Sequence, residues 1–169
     1  MTVLSASSGE DIPRMLSDAE KMSGPVAVCY PSTGPEHAEG IPAYSGNPMD
    51  LVSYHGSDTA VIAVGHMAGY ALEASKEAPC DVYVLRRVAP LPEAEIKAAA
   101  ASHKHLIILE DGIKTGGIGE RIHACLYGQT CEITVLAHSD GILMHATVRE
   151  QMEMSGMSVR DIIKAIKAD

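Results

Sequence analysis

The sequence holds no tryptophan and no phenylalanine, and six tyrosines are its only large aromatic rings. Its core must therefore be aliphatic, built from Val, Ile, Leu, Ala and nine Met. With 169 residues, 46% of them hydrophobic, the chain can bury one compact core. Positive charge is scarce as well. Thirteen Lys and Arg face 22 Asp and Glu, for a net charge of −9. That excludes the cationic footprint nucleic acid requires. A phosphorylated ligand would need Arg or Lys gathered locally against this field. The four cysteines, Cys29, Cys80, Cys125 and Cys131, form no C-x-x-C pair. This disfavours a structural zinc site and fits free thiols in a reducing compartment. No basic-then-apolar leader opens the chain, and no apolar run approaches the ~20 residues of a membrane span. A cytoplasmic protein without membrane contact is expected.

What is present falls into three stretches. Residues 1–34 read as β-α-β. Val3-Leu4 suggests a strand, Ser7-Ser8-Gly9-Glu10-Asp11 opens a helix to about Lys21, and Val26–Tyr30 gives a second strand. That is too little for an independent sheet. Residues 35–48 carry Pro and Gly without apolar periodicity and read as a linker. Residues 49–169 alternate strands over 50–53, 59–64, 81–85, 106–109 and 133–136 with helices near 67–78, 92–103, 117–127, 148–154 and 159–167. Ala60-Val-Ile-Ala-Val64 is apolar on both faces, as a covered parallel sheet demands. The strand over 50–53 alternates polar and apolar residues and reads as an edge. The expectation is a three-layer α/β/α sandwich with a mostly parallel five-stranded sheet and one antiparallel edge strand.

The run from Leu106 to Ile122 is the densest in signals. A buried strand leads into Glu110-Asp111, then Gly116-Gly117-Ile118-Gly119 opens a helix. Helix starts of this kind can collect anions. The spacing lacks both the dinucleotide G-x-G-x-x-G and the Lys-Ser/Thr of a phosphate loop. Two readings stand: a backbone anion nest, or a tight turn that lets helix and strand approach, and glycine serves geometry more often than ligands. Glu110 and Asp111 lie at the carboxyl end of a strand, where open α/β sheets bind ligands. They read as a general base, as carboxylates that orient a partner chain, or as helix N-terminal or loop carboxylates that are merely solvated, the last being favoured. Arg86 and Arg87 could clasp a carboxylate or phosphate bidentately, but a structural or subunit-facing ion pair is the commoner use. His103 and His105 suit a helix C-terminus, and His138 and His145 make no readable triad. Met152, Met154 and Met157 read as core filling. Arg86, Arg87, Glu110, Asp111, Gly116, Gly117 and Gly119 thus form a candidate anion or interface site. No residue is assigned to catalysis, cofactor or metal.

These segments in order resemble 1-deoxy-D-xylulose-5-phosphate synthase, of the transketolase family. Gly24-Pro-Val-Ala-Val-Cys-Tyr-Pro31 is similar to that family's G-P-x-A-x-R-Y-P-R strand. Residues 59–65 with Ala71-Leu-Glu-Ala74 resemble A-I-L-x-x-G…A-L-E-A. Residues 86–91 resemble R-F-V-K-P-L, residues 103–119 resemble H-x-x-L-V-T-V-E-E-N…G-G-x-G, and residues 152–166 resemble the closing helices. The resemblance implies that 1–34 is the remnant of a pyrimidine-binding domain, 35–48 a linker, and 49–169 the C-terminal domain. It implies a parent enzyme that joins pyruvate to glyceraldehyde 3-phosphate with thiamine diphosphate and Mg²⁺, feeding isoprenoid and thiamine biosynthesis. It implies a scaffolding, dimerising role for this chain, either as a homodimer or with the missing N-terminal domains or subunit. Gly-Asp-Gly is absent, and the only Asn, Asn47, precedes both Glu-Asp-Gly and Ser-Asp-Gly. Cys29 and Ser32 stand where the family has arginines that look like phosphate contacts. The alternatives are the C-terminal domain of a transketolase or of a 2-oxoacid dehydrogenase β-subunit, and a stand-alone anion-binding regulatory module.

Overall fold

The aliphatic runs fold as the hydrophobic pattern dictates. A computed structural model describes residues 1–31, 37 and 39–168. The expected role of Ser32, the 34/35 boundary and Asp169 lie outside these residues. In β4 (Thr59–Val64) the residues Ala60, Val61, Ile62 and Ala63 are wholly buried, as are Leu106, Ile107, Ile108 and Leu109 in β7 (His105–Ile113). Each such Val, Leu or Ile contributes about 1.5–3 kcal/mol by leaving water, so these strands take the centre.

They sit in a five-stranded sheet of order β3-β5-β4-β7-β8, with β3 (Met49–Ser53), β5 (Asp81–Leu85) and β8 (Glu132–His138). The β4–β5, β4–β7 and β7–β8 pairs are parallel, and β3 pairs antiparallel to β5 at the edge. One face is covered by α2 (Met67–Glu77), α5 (Val148–Met154) and α6 (Val159–Ile166), through Met67, Ala71, Met152, Met157, Ile162 and Ile166. The other is covered by α3 (Glu93–Ser102) and α4 (Ile118–Cys125), through Ile96, Ala99, Ile122 and Leu126. The fold is thus the three-layer α/β/α sandwich with one antiparallel edge strand. Met152 and Met157 fill core space, whereas Met154 is exposed.

A second sheet of three strands has the order β2-β1-β6. β1 (Thr2–Ser5) and β2 (Val26–Cys29) are parallel, joined by α1 (Asp11–Ala19). The third strand, β6 (Arg87–Ala89), comes from the larger unit and pairs antiparallel with β1. Residues 87–89 read from sequence as a strand-to-helix connection, so this pairing corrects the expectation. Three residues carry too little periodicity to mark a strand; the open edge of β1 decides it. The 35–48 stretch also differs from a free linker: Tyr44 is buried against Leu4, Ala6 and Met15.

Candidate functional site

The carboxyl ends of β4, β7 and β8 converge at one rim of the large sheet, as parallel topology requires. β7 delivers Glu110 and Asp111, whose side chains lie in different environments. Glu110 is buried, at 4% exposure. Its carboxylate accepts from the backbone N–H of Ile118 at 2.9 Å and of Gly119 at 2.7 Å, at the start of α4. It satisfies two of the free N–H groups there and opposes the positive end of the helix dipole. The glycines make room for it: a Cβ on Gly117 would stand 2.6 Å from Glu110 Oε1, and one on Gly119 would stand 2.5 Å from Val135 Cγ1. Gly116 has φ 76°, a left-handed conformation glycine adopts freely, and its N–H donates to Glu120 at 2.8 Å. These backbone donors are therefore held by the chain's own carboxylates, and an external anion would have to displace Glu110. Of the favoured reading of Glu110, the place at a helix N-terminus holds and the solvation is corrected: it is a buried helix cap.

Asp111 is partly exposed and lies between two histidines. Its Oδ1 is 2.8 Å from His138 Nε2 and its Oδ2 is 3.4 Å from His66 Nε2. His138 Nδ1 is 2.7 Å from Ser155 Oγ. An ionised carboxylate only accepts, so Nε2 of His138 carries a proton and, in the neutral ring, Nδ1 accepts from the Ser155 hydroxyl. Asp111 and His66 border a cleft of about 190 Å³ together with Ser5, Cys29, Tyr30 and Val64. Nearby, Asp140 accepts from the Thr115 hydroxyl and, at 3.2 Å, from its N–H. Those bonds hold the Asp140 carboxyl below its ordinary value.

Arg86 and Arg87 do not join this rim as a pair. Arg86 is fully buried beneath the junction of the two sheets. Its guanidinium lies 3.3 Å from Asp11 Oδ2 and 2.5 Å from Asp50 Oδ2, and donates to Ser7 Oγ and to the Pro42 carbonyl. Asp11 also accepts from Ser7 N–H at 2.8 Å and from Tyr44 N–H at 2.7 Å. Burial pushes the Asp11 carboxyl up, but bonds from Ser7 and Tyr44, with the Arg86 charge, outweigh it and leave it below its ordinary value. This is the structural ion pair expected of an Arg, and it ties residues 1–31 to the larger unit. Arg87 points away, donating to the Pro90 carbonyl at 3.2 Å.

The buried pair of His103 and Asp81 is structural. His103 closes α3, with Nδ1 2.8 Å from the Ala99 carbonyl and Nε2 3.1 Å from Asp81. Burial raises the Asp81 carboxyl, yet bonds from His55, His103, Ser57 and Gly56 pull it below its ordinary value. Burial pushes the Cys80 thiol up to about 12, so it is no nucleophile. His66, Asp11, Ser7 and Tyr44 carry the two polar networks; from sequence, Ser7 and Asp11 read only as part of a helix start, and His66 and Tyr44 are not singled out. For His66, the Gly65-His66 step directly after β4 is the legible signal.

The transketolase C-terminal domain profile matches residues 51–162. The chain is 28% identical over 172 residues to the 1-deoxy-D-xylulose-5-phosphate synthase of Thioalkalivibrio sulfidiphilus, which covers 99% of this chain and 27% of that protein. It is 29% identical over 175 residues to the Nitrosomonas eutropha synthase, with 99% and 28% covered. The chain therefore spans little more than a quarter of these relatives. Among solved structures, a split-gene transketolase described as an inactive β4 tetramer superposes with TM-score 0.85 at 19% identity, covering 99% of this chain and 57% of that one. The Campylobacter jejuni transketolase superposes with TM-score 0.72 at 15% identity, covering 99% and 26%.

Proposed function

The chain belongs to the transketolase C-terminal domain family, and from that premise we propose that it is the closing domain or subunit of a thiamine-diphosphate-dependent transferase similar to 1-deoxy-D-xylulose-5-phosphate synthase. One observation carries this reading: relatives of that name match the chain end to end while extending over nearly four times its length. The parent reaction joins pyruvate to glyceraldehyde 3-phosphate, in the cytoplasm. Residues 1–34 are then the last part of a pyrimidine-binding domain, 35–48 its link, and 49–169 the C-terminal domain. The split transketolase is a precedent for dividing such an enzyme between chains.

The residues present do not fit a thiamine diphosphate–Mg²⁺ site. Asn47, the only Asn, donates to Asp50 at 2.8 Å. Glu110 and Asp140 are held by N–H and hydroxyl donors, and Asp111 lies between two histidines. Among the described residues no three His, Cys, Asp or Glu are placed to hold a metal ion. No step of the reaction is therefore assigned to this chain. Its part is to supply a rigid wall and to dimerise. The rim around Glu110, Asp111 and Gly116–Gly119 is an interface bordering the active site rather than an anion site. Arg86 holds the two units in register.

Calorimetric titration of the isolated chain with thiamine diphosphate and Mg²⁺ tests this reading. No binding in the micromolar range is expected, with a dimer by light scattering. Micromolar binding by the chain alone would refute the scaffold role.

A further inference from the structure

One imidazole of the large unit is held between a carboxylate and a hydroxyl from distant elements. His138 ends β8 and is buried. Its Nε2 lies 2.8 Å from Asp111 Oδ1, near the end of β7. Its Nδ1 lies 2.7 Å from Ser155 Oγ, at the C-terminus of α5. The Asp111 carboxylate only accepts, so Nε2 holds the ring proton and the Nδ1 lone pair meets the Ser155 hydroxyl. Hydroxyl, imidazole and carboxylate thus stand in the order of a nucleophile, its base and the group that orients the base. The two ring nitrogens trade the places they have in the serine-protease triad, which leaves the proton transfer itself unchanged.

Ser155 is half-buried, so its hydroxyl is within reach of a small molecule. Its flanks are apolar. Exposed Met154 precedes it, and exposed Met144 places its carbonyl 3.4 Å from Gln151 Nε2, one turn earlier on the same helix face. The N–H groups of Ser155, Gly156 and Met157 already donate to the carbonyls of Gln151, Glu153 and Met152. None of these three is left to stabilise an oxyanion. That restricts the site to esters with a good leaving group and slows the loss of an acyl group once attached.

We propose that Ser155 is an acylation site: its Oγ takes the acyl group of an activated apolar ester, with His138 as general base and Asp111 as positioning residue. The bond from Oγ to the acyl carbon forms, and the ester C–O bond breaks. The hydroxyl proton passes to His138 Nδ1 and leaves with the departing alcohol. The imidazolium formed in between faces the Asp111 carboxylate, which stabilises it. All three residues belong to the large unit, and the site is independent of the transferase reading.

The probe is p-nitrophenyl butyrate, added to the full chain. Phenolate release gives the rate. Peptide mass mapping locates the acyl group and separates an ester at Ser155 from a thioester at exposed Cys29. One butyryl group per chain is expected at Ser155, formed roughly a hundredfold faster than at exposed Ser45, the lower end of general-base assistance. His138→Gln should abolish this advantage. Asp111→Asn favours the other tautomer and should slow acylation about tenfold or more, and Asp111→Glu should recover part of the loss. Should these variants fail to fold, Ser155→Cys decides: a thiol beside His138 should be alkylated by iodoacetamide about tenfold faster than Cys29, and equal rates overturn the proposal. A wild-type Ser155 that stays unlabelled, or is labelled no faster than Ser45, overturns it as well. So does a Ser155 rate that His138→Gln and Asp111→Asn leave unchanged, which would make the hydroxyl only a partner for a buried ring.

Discussion

Glu110 and Asp111 are adjacent in sequence and have different fates. Alternation along β7 turns one into the core and leaves the other at the rim. Glu110 replaces water as the partner of two helix N–H groups. Glu110→Gln keeps the volume but turns an NH₂ toward those donors. It should cost about 1–3 kcal/mol, read as a lower urea midpoint at unchanged m-value. An unchanged midpoint would mean the cap contributes nothing. Asp11 gives a pH signature. Its folded carboxyl sits below its ordinary value, so its stabilisation is complete above the unfolded value near 3.9 and is lost as pH falls through the folded one. Urea midpoints between about pH 5 and pH 2 should fall for the wild type and fall less steeply for Asp11→Asn.

Helix α4 begins where it does because three glycines and the Glu110 carboxylate agree on it. The sequence marks the turn, but the choice between an anion nest and close packing depended on what filled the nest. The Cβ positions at Gly117 and Gly119 favour close packing: both are occupied by neighbours, Glu110 and Val135 among them. Gly119→Ala should therefore cost about 1–3 kcal/mol through overpacking against β8, shown by a lower thermal midpoint. A stability equal to wild type would show that Val135 yields freely. β6 was illegible for a different reason. Its three residues have no pattern of their own, and the strand exists because β1 offers an unpaired edge.

Across the whole molecule, the two sheets meet at Arg86 and at Gly65. A Cβ on Gly65 would lie 2.2 Å from Ser5 Oγ, so only glycine permits this approach. Arg86 lies on the large-sheet side yet bonds to Ser7, Asp11 and Pro42 from the first half of the chain. Arg86→Met leaves Asp11 buried without its counter-charge and should cost about 3–5 kcal/mol. It should also split one cooperative unfolding transition into two, seen by calorimetry. A single transition in the variant would show that the units are coupled by apolar contact instead.

The sequence by itself determined the layers, the strand positions of the large sheet and the net negative charge. Those follow from hydrophobic periodicity and charge, which are local properties written along the chain. Tertiary structure alone decided that β6 completes the small sheet, that Arg86 is a clasp and that Glu110 fills its own helix start. The first two join residues far apart in sequence, and in all three a polar group's role depends on which partner reaches it once water is gone.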